Sequence, residues 1–262
     1  MHDFRKLWIY KNFSKMIQRD NIIILPNDMT LQVMKTAIKN AEYPSEFRKI
    51  VKCSRKYFGW YTKHFPRVYE YPWLYAKLKD VSGKTIGDFG AGLNPMPLLF
   101  AKDGAKIVTI DNSSMQVSLL NLSNANEWGF LDYSVFNSRI TSYNKLLERN
   151  TFKHSSFDYW YSVSVIEHIP SEDRREILFI IKCLLKNRGE IFLTVDLAKN
   201  TELLWNFNQG LKVESEQVHG TLYDIRSEIT KLGFDIKELR IIRTPKEERV
   251  DTALIHAVFE EN

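Results

Sequence analysis

Thr85-Ile86-Gly87-Asp88-Phe89-Gly90-Ala91-Gly92-Leu93-Asn94-Pro95 and, further on, Lys106-Ile107-Val108-Thr109-Ile110-Asp111 decide the fold of this chain. A short run ends in the acid Asp88, Gly90 and Gly92 follow, and Met96 to Ala101 reads as a helix. The second run also ends in an acid, Asp111. Strand, glycine-rich turn, helix, strand, acid is the layout of a nucleotide-type cofactor site in a βαβ unit. Glycines let the backbone turn tightly and approach a ligand that a Cβ would push away. The acid ending the second strand can accept hydrogen bonds from both hydroxyls of a ribose.

Charge narrows the ligand. A dinucleotide fingerprint, G-x-G-x-x-G, needs a third glycine where this chain has Pro95, for close packing beside a pyrophosphate. Asp88, two residues before Gly90, would repel a pyrophosphate but suits a ligand carrying an amino group. S-adenosylmethionine has an α-amino group, a sulfonium charge and a ribose, and no phosphate. The pattern D-x-G-x-G-x-N with a distal acid therefore favours it over NAD. At these residues the sequence resembles the class I (Rossmann-like) S-adenosylmethionine-dependent methyltransferases. Asp88, Gly90 and Gly92 match their first motif and Asp111 their ribose acid, while Asn94-Pro95 replaces the usual third small residue. The resemblance implies an α/β fold: a seven-stranded, mostly parallel sheet with helices on both faces. It also implies Asn94 and Asn112 beside the cofactor, and S-adenosylhomocysteine as product.

The 262 residues allow one α/β domain plus an extra element. No apolar run approaches a membrane span, and the aromatic, basic N-terminus lacks a signal-peptide core. Cys53 and Cys183 have no metal-ligand spacing, so reduced thiols in a cytoplasmic protein are expected. A net charge of +5 permits an anionic partner without requiring one.

Residues 1–80 read as an N-terminal helical cap or lid, and 81–262 as the cofactor-binding domain. Phe4, Leu7, Trp8, Phe13, Met16 and Ile17 recur at helical spacing. A second helix is expected over Met29–Ala41, capped by Asp28 or Thr30. A third, capped by Ser45, puts Phe47, Ile50, Val51, Ser54 and Phe58 on one face. Arg48, Lys49, Lys52, Arg55 and Lys56 lie between these apolar positions, as a solvated face or an anion-binding one. Gly59 to Trp73, interrupted by Pro66 and Pro72, does not read as one helix. In the resembling family this segment folds over the methionine end of the cofactor. Arg67 and Tyr71 are then candidates to hold its carboxylate; the alternative is an aromatic core cluster. Tyr-Glu-Tyr-Pro-Trp ahead of Asp-x-Gly-x-Gly is also similar to bacterial methyltransferases of surface-glycan biosynthesis.

Beyond Asp111 a helix is expected from Ser113 or Ser114 to Glu127, then a third strand over Tyr133–Phe136. The family often places an adenine-binding acid after that strand; here Asn137-Ser138-Arg139-Ile140 has none, leaving Ser138 and Ile140 as candidates. Phe157 to Val163 resembles the family's fourth strand, whose end, at Ser162 and Val163, lies beside the methyl group and the acceptor. A helix from Ser171, a turn at Asn187-Arg188-Gly189 and a fifth strand from Glu190 to Val195, ending at Asp196, follow. Residues 200–222 read as an insertion over the acceptor pocket, containing Leu203, Leu204, Trp205 and Phe207. A helix over 222–232 and strands near 236–243 and 253–260 close the chain, the last antiparallel in the family.

Methyl transfer from a sulfonium mainly requires a positioned acceptor lone pair, and a hydroxyl acceptor also needs a base. His168 is the first candidate, with Asp196 to orient acceptor or imidazole and Glu167 beside it; a purely local role for His168 is the alternative. No metal is expected, because the acid four residues before Glu-His in some related O-methyltransferases is here Val163. His64 and His219 lie in expected lid segments. The favoured function is O-methylation of a small polar acceptor, such as a sugar or nucleotide-linked glycan precursor of capsule or surface polysaccharide. The basic N-terminal helices motivate an alternative, a nucleic-acid or protein N-methyltransferase, which the missing Asn/Asp-Pro-Pro-aromatic tetrapeptide opposes. A non-catalytic cofactor-binding protein is the third possibility.

Overall fold

The computed structural model describes residues 28–205 and 219–260. The helix expected over 4–17 and the part of the insertion around Phe207 lie outside them. The strands are β1 (Thr85–Phe89), β2 (Lys106–Asp111), β3 (Ile140–Asn144), β4 (Phe157–Val163), β5 (Leu185–Ala198), β6 (Phe234–Ile242) and β7 (Val250–Phe259). They form one seven-stranded sheet in the order β3-β2-β1-β4-β5-β7-β6. The first five are parallel, and β7 runs antiparallel between β5 and β6. This is the expected Rossmann-like sheet. The chain goes from β1 outward to β2 and β3, then returns to the other side of β1 as β4. A crevice opens at the carboxyl ends of parallel strands where the order reverses in this way.

Alternating side chains give the sheet two cores. Ile86, Ile107, Tyr161, Phe192 and Leu254 face the N-terminal helices α1 (Leu31–Asn40), α2 (Pro44–Tyr57) and α3 (Arg67–Lys77). Trp160, Ile191, Leu193, Val195, Ala253 and Ile255 face α5 (Ser171–Leu184) and α6 (Leu222–Lys231). Phe47, Ile50, Trp60, Tyr61, Trp73 and Leu74 belong to the first of these cores. Residues 28–80 are therefore a layer of the same sandwich. Thr30 caps α1 through its side chain. Tyr43, not Ser45, sits at the cap of α2, and Pro44 takes the first helical position, where a missing N–H costs nothing. Arg48, Lys49, Lys52 and Lys56 are exposed on α2, away from the crevice.

Two expected elements are replaced. No α-helix spans 113–127; the stretch is irregular except for a 3-10 helix over Leu119–Asn124. Its Ser and Asn side chains compete for the backbone: Ser113 Oγ accepts from Met115 N (3.2 Å) and Asn126 Oδ1 from Trp128 N (3.0 Å). Tyr133–Val135 is a 3-10 turn, not a strand, because Asp132 accepts from Ser134 N (3.0 Å) and starts a turn. The third strand begins later, at Ile140. Among the described residues no helix is long and apolar enough to cross a membrane.

Candidate active site

The carboxyl edge of β1, β2, β4 and β5 opens into a cleft of about 1440 Å³. Its first half is the turn after β1. Gly90 and Gly92 have φ of +71° and +48°, in the left-handed region that favours glycine. A Cβ on Gly90 would meet Val165 at 2.5 Å, and one on Gly92 would strike the Glu127 carbonyl. Asp111, at the end of β2, accepts from Gly92 N (2.8 Å) and opens onto the cleft. Burial raises its pKa, against the Gly92 and Asn112 N–H groups. Asp88 is buried, and its Oδ2 accepts from Asn94 Nδ2 (3.1 Å) and Tyr161 OH (2.8 Å). Burial pushes Asp88 up to about 7, opposed by these two hydrogen bonds.

The donor set suits a cation and not a pyrophosphate. Helix α4 (Met96–Lys102) starts behind Pro95 with Pro97 in its first turn, and Met96 N already donates to Asn94 Oδ1 (2.9 Å). A helix N-terminus binds anions through free N–H groups, and this one has few to offer. Three carboxylates, Asp88, Asp111 and Glu127, line the cleft around the turn.

Between the two halves lies a buried polar network. Arg67, from α3, donates through Nε to Glu127 Oε1 (2.9 Å) and through Nη1 to Ser164 Oγ (2.7 Å), and it pairs with Glu70. Glu70 Oε1 accepts from Ser164 Oγ (2.7 Å) and Thr194 Oγ1 (2.6 Å). Tyr71 OH donates to Glu127 Oε1 (3.0 Å). Arg67 and Tyr71 do line the cleft, but the guanidinium is committed to two carboxylates.

In the second half His64 Nε2 lies 2.9 Å from Asp196 Oδ2. Asp196 Oδ1 accepts from Thr252 Oγ1 (3.2 Å), and its N–H donates to Glu167 Oε1 (2.9 Å). Burial opposes ionisation of Asp196, but the His64 imidazole, with Arg67 and His168, holds its pKa below the usual range. Burial opposes charge on His64 too, and the Asp196 carboxylate prevails and raises its pKa. His168 is exposed and lines the same end with Ile169, Asp173, Ile177 and Trp205.

Several expected site residues sit elsewhere. Ser138 and Ile140 lie at the amino end of β3, where Ile140 pairs with Ile107, at the opposite edge from the cleft. The cause is the displaced third strand; the residues past its carboxyl end are Lys145, Leu146, Leu147 and Glu148, and these line the cleft. Val163 borders the cleft, whereas Ser162 is buried and donates to Phe89 O (2.9 Å). Glu167 points inward, fully buried and absent from the cleft wall, and burial followed by the Asp196 charge raises its pKa well above the ordinary value. It cannot meet an acceptor from there. Asp88, Gly90, Gly92, Asn94, Asp111 and Asn112 come together around the turn. The partnership of Asp196 with His64 and the place of Glu127 were not anticipated. A histidine in a wall segment was the only signal for the first, and there was none for the second. Among the described residues no group of three or more His, Cys, Asp or Glu is arranged to hold a metal ion.

Residues 87–193 match the family described as methyltransferase domain. No curated protein matches the chain in sequence. Similar solved structures include a Listeria monocytogenes protein assigned as an S-adenosylmethionine-dependent methyltransferase (18% identity, TM-score 0.53, covering 73% of this chain and 98% of that one). A second is phosphoethanolamine N-methyltransferase 2 of Haemonchus contortus (16%, 0.52, 72% and 51%). A third is 1,6-didemethyltoxoflavin-N1-methyltransferase of Burkholderia thailandensis, solved with its acceptor and S-adenosylhomocysteine (13%, 0.52, 87% and 88%). At these identities the likeness is one of fold. The family match is confined to residues 87–193, and the sheet order agrees with that fold.

Proposed function

We propose that this protein is an S-adenosylmethionine-dependent methyltransferase that methylates a hydroxyl of a small polar acceptor, such as a sugar. The observation that carries the reading is one continuous cleft with the acid-flanked glycine turn at one end and the His64–Asp196 pair at the other. Asp88, Gly90, Gly92, Asn94, Asp111, Asn112 and Val163 hold the cofactor, and Lys145 to Glu148 offer the adenine side. Bound there, S-adenosylmethionine supplies an electrophilic methyl group on a sulfonium, leaving as S-adenosylhomocysteine. The chain's own task is to orient the acceptor and take its proton.

His64 is better placed for the proton than His168. Its Nε2–H donates to Asp196, which fixes the tautomer and leaves the Nδ1 lone pair, without a hydrogen-bond partner among the described residues, as acceptor. His168 and Trp205 then shape the pocket. Asp173, Glu247 and Glu248 outnumber Lys63 and Arg249 at this end, Glu176 being paired with Arg149. That balance disfavours a nucleic acid or a diphosphate near the reacting hydroxyl, so the sugar portion of a glycan precursor for capsule or surface polysaccharide is the preferred acceptor.

Calorimetry tests the cofactor half: S-adenosylhomocysteine should bind and NADH should not. Tight NADH binding with no uptake of S-adenosylhomocysteine ends this reading. For the acceptor, label from the methyl group of S-adenosylmethionine should pass to free or nucleotide-linked hexoses as a base-stable ether. Transfer to amines or RNA alone would replace the hydroxyl assignment.

A further inference from the structure

We infer that Glu127 is the site for the α-ammonium group of the cofactor, and that Arg67 and Tyr71 position this carboxylate instead of binding the cofactor's own carboxylate. The inference rests on the S-adenosylmethionine reading above. Glu127 stands over the glycine turn: its carbonyl accepts from Leu93 N (2.8 Å) and occupies the space that a Cβ on Gly92 would need. Its side chain reaches the other way, to Arg67, whose Nη1 in turn meets Ser164 just past the end of β4. Through its carbonyl and through Arg67, Glu127 is thus linked both to the turn after β1 and to the end of β4.

Only one oxygen is used internally. Oε1 takes both Arg67 Nε and Tyr71 OH, while Oε2 has no hydrogen-bond partner among the described residues and Glu127 lines the cleft. An ammonium group offers three donors and no acceptor, so an open carboxylate oxygen is its natural complement.

Competing groups at this end are already occupied. Glu70 is fully buried, with its oxygens on Arg67, Ser164 and Thr194. Asp88 is 1% exposed, and its Oδ2 serves Asn94 and Tyr161. The Arg67 guanidinium, balanced by Glu70 and Glu127, offers little net charge to a ligand carboxylate.

The test is calorimetric and needs no acceptor. S-adenosylhomocysteine and its desamino analogue, which keeps the carboxylate, are titrated into the wild-type protein and Glu127→Gln. Loss of a charge-assisted partner predicts that Glu127→Gln weakens S-adenosylhomocysteine by about 10- to 100-fold. The desamino analogue should bind both proteins equally, because it lacks the group that Glu127 meets. Equal affinity of the two proteins for S-adenosylhomocysteine overturns the inference. So does an equal loss for both ligands, which would mean that the substitution merely disturbs the turn. A wild-type protein that binds neither ligand overturns the cofactor reading itself, a separate outcome.

Discussion

The two halves of the cleft are assembled over different distances along the chain. In the cofactor half Asp88 meets Asn94, six residues on, and Gly92 meets Asp111, nineteen residues on. In the acceptor half His64 meets Asp196 across 132 residues, and in the network between the halves Glu70 meets Thr194 across 124. The nucleus of the first half is a local device, a strand, a turn and the next strand, to which Tyr161 and Glu127 are added from farther along the chain. The second exists only once α3 has packed on the sheet and β4 and β5 have paired. A local device can serve many enzymes unchanged, while the long-range half is free to vary with the acceptor. That is the division expected if fold sets the cofactor and not the substrate.

The largest effect should come from the long-range half. His64→Gln keeps a donor for Asp196 but removes the basic lone pair, so turnover should fall by about 10²- to 10⁴-fold with S-adenosylhomocysteine affinity intact. The pH profile supplies the sign. The His64 pKa is raised, so the base is protonated and idle at low pH, and the wild-type rate should climb through a pKa above the ordinary histidine value. Asp196→Asn should shift that climb to lower pH, because the charge sustaining the imidazolium is gone. A wild-type profile flat from pH 6 to 9 would remove histidine base catalysis altogether, whereas an unchanged rate in His64→Gln would return the role to His168. The same pair ties stability to pH: its contribution is complete below the unfolded histidine pKa and is lost as pH rises through the folded one.

A smaller effect, on stability, belongs to the local half. Gly92→Ala meets a left-handed backbone and a carbonyl in its path, and should cost about 1–3 kcal/mol in urea unfolding. Gly83, at φ +74° with nothing within 4 Å, isolates the backbone component. Gly83→Ala should cost only about 1 kcal/mol, and equal losses at the two positions would mean that the Glu127 contact carries no weight.

What could be read from the sequence follows the same division. Asp88, Gly90, Gly92, Asn94 and Asp111 were legible because their contacts fall within one βαβ unit, whose spacing is itself the signal. Ser138 and Ile140 were misplaced because Tyr133–Phe136 has strand composition while Asp132 initiates a turn, a local hydrogen bond outweighing propensity. The helix expected over 113–127 failed similarly, because serine and asparagine side chains there bond their own backbone. Glu167 looked catalytic from its place beside His168, but in the 3-10 turn over Ile166–His168 Glu167 is buried while His168 is exposed. The sequence says that a turn residue exists, not which way it points.

The smallest expected effect lies at the junction of the halves. Tyr71→Phe removes one of the two hydrogen bonds that hold Glu127 Oε1 and leaves Arg67 Nε in place. One neutral donor contributes about 0.5–1.5 kcal/mol, so S-adenosylhomocysteine should weaken by about 2- to 10-fold. The desamino analogue should show no change if the tyrosine acts through the carboxylate. Were Tyr71 instead a direct ligand of the cofactor's carboxylate, the analogue, which retains that group, would lose as much affinity as the parent. The two ligands thus distinguish a residue that touches the cofactor from one that holds the group that does.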